Sequence, residues 1–285
     1  MIKLVPYRAD EYDLYEVKVD AFSAGETKFE LPDDRRAHYH GIHWHYENDG
    51  EMFVIMCLVN EMPALKEYLY MPYFPHARMD RTKSAKDVFT LKWFCKWLNS
   101  LEFDFIEVRD PHSDVCVALL DNVYVHPIDD KIEDAITKIC WENTEQGKNL
   151  TDYTENEFAL FYPDQGAYKR YNHGKVGNFY YHSTYGNKDR EWGTNQIKSL
   201  VIANPTEVKG KDVLIVDDIC SYGGTFHRAA TALKEAGARK VYLYITHCEN
   251  AIWQGKLPDS DLIEKVFTTN SIYHYIGESN WLVEV

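Results

Sequence analysis

No two cysteines in this chain stand close enough to form a C-x-x-C pair, and none has the spacing to histidine of a zinc site. Cys57, Cys95, Cys116, Cys140, Cys220 and Cys248 are scattered, so the expectation is buried, reduced thiols in a cytoplasmic protein rather than a disulfide scaffold. Positive charge is also scarce: 31 Lys and Arg stand against 45 Asp and Glu, a formal charge of −14. That balance argues against nucleic acid or an anionic membrane surface as partner, because both need clustered cations. Long apolar runs are missing. The longest, Met52–Val59, is far too short to span a bilayer, and the N-terminus has no signal-peptide pattern. Repeats and low-complexity segments are absent as well.

What is present is a globular composition, 45% hydrophobic and 14% aromatic, over 285 residues. That length holds one large or two ordinary domains. The chain is organised around Val213-Leu214-Ile215-Val216-Asp217-Asp218-Ile219-Cys220-Ser221-Tyr222-Gly223-Gly224-Thr225. Four apolar residues read as a strand buried on both faces, followed by two carboxylates, a Gly-Gly turn and a helix spaced by Phe226, Ala229, Ala230 and Leu233 that ends at Gly237. This is the layout in which an α/β sheet binds a phosphorylated ligand at its carboxyl edge. Glycines let backbone N–H groups close on a phosphate, and the helix start adds favourable partial charge. The carboxylates suit sugar hydroxyls or a Mg²⁺ shell instead.

Elsewhere, His38, His40, His43 and His45 alternate with aromatics as on a strand face, a weak candidate for metal. Met52–Val59 and Glu67–Tyr73 read as strands joined by a short link. Pro72 and Pro75 stiffen the exit to Arg78, Asp80 and Arg81, where two guanidiniums could meet polyphosphate. Lys83 to Leu98 is expected to be a helix with Val88, Leu91, Phe94, Cys95 and Leu98 on one stripe. Strands are expected at 103–108, 123–125, 158–162, 179–182, 200–202, 241–246 and 262–269, with a helix over 128–139 and a cationic loop over 185–190. Strands alternating with helices predict α/β architecture with a parallel sheet in each half. The expected division is 1–140 and 141–270, with 271–285 returning to the first domain.

Six stretches, in order, resemble the ribose-phosphate pyrophosphokinases. They are Phe22-Ser23-Ala24-Gly25-Glu26, Met71 to Arg81, Asp110-Pro111-His112, Pro163-Asp164-Gln165-Gly166, Lys188 with Arg190, and Asp217 to Thr225. The resemblance implies two phosphoribosyltransferase-like domains and transfer of the β,γ-diphosphate of ATP to a ribose C1 hydroxyl. It further implies Mg²⁺, a homo-oligomer, and AMP as the second product. By motif, Phe22 and Glu26 would contact adenine from a neighbouring subunit. Arg78 would hold ATP beside Asp80 and Arg81, and His112 would lie near Mg²⁺ and the phosphates. Asp164 would bind metal or ribose hydroxyls, and Lys188 and Arg190 would stabilise the transferring diphosphate. Asp217 and Asp218 would hold the ribose, with Ser221, Tyr222, Gly223, Gly224 and Thr225 around its 5-phosphate.

The sequence also departs from the family. Met79 replaces a Gln and Ala24 an Asp, and no helix is legible between Val59 and Glu67. Ser221-Tyr222 stands where the family has Asp-Thr. A phenol and one fewer negative charge in the phosphate loop suit a 5′-extended acceptor such as ADP-ribose. A catalytically silent regulatory or scaffold protein and a phosphoribosyltransferase that consumes phosphoribosyl diphosphate are the competing readings.

Overall fold

The computed structural model describes residues 1–7, 14–32, 38–144, 150–173, 175–176, 179–190, 197–272 and 279–285, without side chains at 175, 179–180, 188–190 and 197–199. The chain divides into two units, Met1–Pro127 and Ile128–Val285.

The first unit runs β1 (Ile2–Pro6), β2 (Tyr15–Glu16), β3 (Lys18–Ala21), β4 (Thr27–Glu30), β5 (Tyr39–Trp44), α1 (Glu51–Glu61), β6 (Tyr68–Met71), α2 (Thr90–Asn99), β7 (Ile106–Arg109), α3 (Asp114–Leu119) and β8 (Val123–His126). Its sheet has the order β2-β1-β5-β6-β7-β8, while β3 and β4 form a separate hairpin. Strands β5 to β8 are parallel, and β1 is antiparallel to β5. The expected strand at Met52–Val59 is instead helix α1, which buries Val54, Ile55, Leu58 and Val59. A short apolar run carries too little periodicity to separate the two forms. That helix makes the crossover from β5 to β6, so these strands are parallel and not antiparallel. Helix α2 starts at Thr90, and Val88 lies outside its buried face, 58% exposed. The Asp87 carboxylate explains the late start. It accepts hydrogen bonds from the Lys83 and Ser84 amides, both at 2.7 Å, and holds that stretch in a turn.

His40 and His43 are packed among rings. His43 lies 4.9 Å from the Tyr70 ring and 5.8 Å from that of Tyr68, centroid to centroid. Among the described residues no three His, Cys, Asp or Glu side chains converge as a metal site would require.

The second unit runs α4 (Asp129–Asn143), α5 (Leu150–Asn156), β9 (Phe158–Tyr162), α6 (Gln165–Tyr171), β10 (Lys175–Val176), β11 (Phe179–Tyr180), β12 (His182–Arg190), β13 (Ile197–Ile202), β14 (Asp212–Cys220), α7 (Gly224–Glu235), β15 (Lys240–Cys248), β16 (Lys265–Thr268) and β17 (Leu282–Glu284). The larger sheet has the order β13-β12-β9-β14-β15-β16-β17 and is parallel except for the β12–β13 pair. Strand β14 lies between β9 and β15, with Val213–Val216 fully buried. Val213 and Ile215 face the cluster that includes Phe226, Ala229, Ala230 and Leu233 of α7. Leu214 and Val216 face the cluster formed with Ile132, Ile136 and Ile139 of α4.

Three expectations change here. Helix α4 buries its apolar face in the second unit, so the division falls before it and not near residue 140. The segment expected as a cationic loop is the second part of β12, drawn into extended form by pairing with β13. Strand β17 pairs with β16, so the C-terminal residues complete the second sheet and do not return to the first. Among the described residues, no helix is long and apolar enough to cross a membrane. The cysteines are free, and all but Cys57 are buried.

At the amino end of β14, Asp212 is fully buried and accepts two bonds from Arg239, Nε at 2.7 Å and the terminal nitrogen at 2.9 Å. Tyr153 of α5 donates to the same carboxylate at 2.5 Å. A buried carboxylate with all of these partners is tolerated, whereas removal of one strands the charge.

Burial, with the charge of His45 next, lowers the His43 pKa from 6.5 to about 4; Glu107 opposes the shift and Lys3 adds slightly to it. A His with a lowered folded-state pKa binds fewer protons than the unfolded chain between these values. Its contribution to stability is therefore intact above pH 6.5 and falls as pH drops toward 4. The expected loss is at most about 3 kcal/mol, at roughly 1.4 kcal/mol per pH unit. Denaturant titrations at pH 7 and at pH 4.5 should show this drop in the wild type and a smaller one in His43→Phe.

Candidate active site

The carboxyl end of β14 carries the pair read from sequence. Asp218 is 6% exposed, and Asp217 is half-buried. Burial first, then the neighbouring charge of Asp218, drives the Asp217 carboxyl well above the ordinary carboxylate range, with a further contribution from Asp164. Asp164 follows β9, the strand paired to β14, and caps α6 by accepting from Gly166 N at 2.9 Å and Ala167 N at 3.1 Å. Two parallel strands thus bring three carboxylates to one sheet edge, where hydroxyl donors or a cation would relieve their repulsion.

The turn that follows is tight. Gly223 has φ +76°, a left-handed value that glycine adopts at little cost, and it is the N-cap of α7. A Cβ at Gly223 would lie 2.3 Å from Leu257 Cδ1, so Leu257 also enforces glycine there. The opening N–H groups of α7 have no intrahelical acceptors and can bind an anion at the loop. Ser221 and Thr225 are half-buried there, Gly224 is exposed and Tyr222 is 58% exposed. At its other end α7 closes in a Schellman motif at Gly237, φ +90°, with Ala238 N bonded to Leu233 O and Gly237 N to Lys234 O, both at 3.0 Å.

In the first unit, the loops after β6 and β7 meet at the carboxyl edge of their sheet. Asp80 is 8% exposed and receives Arg81 through Nε and a terminal nitrogen, both at 2.7 Å. Ser113 Oγ, from the loop after β7, donates to the same carboxylate at 2.7 Å. The Arg81 bond leads these effects and holds the Asp80 carboxyl down at about 2. Asp80 therefore acts as a clamp between two loops, and its geometry presents Arg78, Arg81 and His112, all exposed. Asp110 is 4% exposed at φ +40° and sets the bend ahead of His112. Phe22 and Glu26 lie at the tip of the β3–β4 hairpin, closed by Phe22 N to Glu26 O at 2.8 Å, with Phe22 56% exposed.

Comparison with known proteins bears on these two edges. A phosphoribosyl transferase domain family matches residues 177–277. The chain is 27% identical over 232 residues to the ribose-phosphate pyrophosphokinase of Pasteurella multocida, covering 79% of this chain and 67% of that one. It is 29% identical over 226 residues to the ribose-phosphate pyrophosphokinase of Sulfurisphaera tokodaii, covering 78% and 71%. The phosphoribosylpyrophosphate synthetase structure from Mycobacterium smegmatis superposes with a TM-score of 0.70 at 18% identity, over 96% of this chain and 86% of that one, which shows a shared fold. The chain is a divergent relative of the ribose-phosphate pyrophosphokinases.

Within that family frame, Asp164, Asp217 and Asp218 converge on one edge in the second unit, and Arg78, Asp80, Arg81 and His112 on one edge in the first. Lys188 and Arg190 lie on β12, opposite Leu200 and Ile197 of β13, with a register shift between Asp189 and Arg190. Their side chains fall outside the described ones. Sequence reading missed Ser113 and Leu257. Serine two residues before an apolar helical turn is a capping signal, and Ser113 does cap α3, accepting from Val115 N at 3.2 Å. Leu257 had no signal, because its partner is Gly223, far away in sequence.

Gly223→Ala should destabilise the protein by about 2 kcal/mol, combining left-handed strain with the Leu257 overlap. A thermal-unfolding double-mutant cycle with Leu257→Ala should return a coupling of about 1 kcal/mol, since the smaller side chain removes the overlap. Strict additivity would show that Leu257 does not press on the loop.

Proposed function

We propose that this protein is a Mg²⁺-dependent pyrophosphokinase that moves the β,γ-diphosphate of ATP to the C1 hydroxyl of a ribose 5-phosphate moiety and releases AMP. The observation that carries the reading is the Asp217–Asp218 pair, placed by β14 directly before the left-handed Gly223 turn and the start of α7. The carboxylates accept the ribose hydroxyls, and the helix start takes the 5-phosphate. A phosphoribosyltransferase would need only this edge. The second edge, with Arg78, Arg81 and His112 set by the Asp80 clamp, supplies the cations and donors for a nucleoside triphosphate. These groups speak against a silent scaffold as well.

Attack of an alcohol on phosphorus needs positioning and charge neutralisation more than covalent help. Asp217 and Asp218 orient the sugar, Arg78 and Arg81 bind the triphosphate, and Lys188 and Arg190 meet charge that grows on the transferring group. Mg²⁺ needs few protein ligands when waters and phosphate oxygens fill its octahedron. Asp164 and His112 meet that need, and the crowded charge around Asp217 is relieved by a cation. When bound, the ion neutralises phosphate oxygens and orients them. The exposed Phe22–Glu26 hairpin is suited to reach the adenine of a neighbouring copy in a homo-oligomer.

Tyr222 favours a finer reading. Its side chain is exposed at the rim of the loop and is not buried as packing, and with Ser221 beside it the loop is short of negative charge. That suits an acceptor whose 5-phosphate is extended, such as ADP-ribose, over ribose 5-phosphate alone. AMP release measured with ATP, Mg²⁺ and each acceptor distinguishes the two, and no AMP with either would overturn the assignment.

Lys188→Ala and Arg190→Ala should each lower kcat about 100- to 1000-fold, by analogy with loss of one oxyanion donor, with ATP affinity nearly unchanged. Full turnover in both variants would remove them from the mechanism. Asp217→Asn and Asp218→Asn should raise the acceptor KM about tenfold or more, as charge-assisted bonds to hydroxyls are each worth roughly 1.5–3 kcal/mol. Circular dichroism should show the fold retained, and an unchanged acceptor KM would contradict the ribose-holding role.

A further inference from the structure

The phosphate loop has a second wall that no catalytic assignment uses. After β15 the chain turns back along the loop, with Glu249 N bonded to Cys220 O at 2.8 Å. At Gly255 the contact is closest: a Cβ there would fall 2.0 Å from the Tyr222 carbonyl oxygen. Only glycine lets these backbones pass. Two residues earlier on the same short turn, Trp253 is 37% exposed, with its ring 5.6 Å from Trp281. Trp281 is itself fixed, its indole N–H donating to Ile263 O at 3.0 Å. One face of Trp253 is thus backed by a held ring while the residue stays open to solvent beside the loop. On the loop's other flank, Arg228 is exposed. One of its terminal nitrogens lies 3.9 Å from where a Gly224 Cβ would be, and it forms no ion pair among the described residues.

A rigid aromatic and an unpaired guanidinium at the rim of a phosphate loop match the two parts of a nucleotide attached through a second phosphate. Resting on the pyrophosphokinase reading above, we infer that Trp253 stacks on the base, and Arg228 binds the outer phosphate, of an acceptor whose ribose 5-phosphate is extended as a nucleoside diphosphate. Stacking on aromatic side chains tolerates any base, so this wall selects for the presence of a nucleotide more than for its identity. Discrimination against unextended ribose 5-phosphate then comes from binding outside the reacting centre, and truncation of the acceptor loses rate as well as affinity.

The test compares ADP-ribose and ribose 5-phosphate as acceptors for wild type, Trp253→Ala, Trp253→Phe and Arg228→Gln, with AMP release and calorimetric binding of ADP-ribose as separate readouts. Trp253→Ala should lower kcat/KM for ADP-ribose about ten- to 100-fold, the range of one base-stacking contact. It should leave ribose 5-phosphate turnover within about twofold. Trp253→Phe should recover most of the loss, and Arg228→Gln should weaken ADP-ribose more than ribose 5-phosphate. Equal effects on both acceptors, or ADP-ribose binding unaltered by either substitution, would overturn the inference. If the wild type binds ADP-ribose through Trp253 but releases no AMP, the subsite stands and the pyrophosphokinase reading fails. If it turns over ribose 5-phosphate and does not bind ADP-ribose, the reverse holds.

Discussion

Two adjacent carboxylates held at the buried end of a central strand are the constraint around which the second unit is built. Charge repulsion and desolvation both oppose the ionised Asp217, and Asp164 on the next strand adds to them. Such an arrangement persists only where the surrounding fold over-determines it. Strand β14 does so, with Val213–Val216 buried on both faces and parallel partners on both sides. The chain must then leave the sheet at once. That demand explains the left-handed Gly223, the immediate start of α7 and the pressure of Leu257 beneath the turn.

The same strand separates stability from function along its length. At its amino end, Asp212 is as buried as any residue in the protein, yet Arg239 and Tyr153 satisfy it completely. At its carboxyl end the carboxylates crowd one another. A strand anchored firmly at one end can carry unrelieved charge at the other. The next residue of the strand to face inward, Cys220, lies opposite Cys248 of β15. Its thiol is pushed far up by a hydrogen bond with Cys248 and by burial, so it packs as an inert group beneath the loop.

The first unit uses a carboxylate in the opposite way. Asp80 is held low by Arg81 and Ser113, and its oxygens are occupied by the protein. It ties two loops from neighbouring strands and leaves the cationic side chains outside. The contrast between Asp80 and Asp217 separates a positioning carboxylate from one that awaits a ligand. Both sit after motifs that look alike in sequence, and only their hydrogen-bond partners tell them apart.

The sequence by itself determined the strand, acidic pair, glycine turn and helix of residues 213–237, because burial pattern, turn chemistry and helix spacing there all act within a few residues of one another. It also determined the order of the motif-bearing loops, and with it the family. Tertiary structure alone decided the rest. Met52–Val59 became a helix because its apolar residues had to line one face of a crossover between parallel strands. Residues 185–190 became a strand because β13 offered a pairing edge, and α4 joined the second unit because that is where its apolar stripe is buried. The bond of Ser113 to Asp80, the wedge of Leu257 under Gly223 and the passage of Gly255 beside Tyr222 join residues that are distant along the chain. Contacts of that kind leave no local pattern to read, since each depends on where the backbone of another element passes.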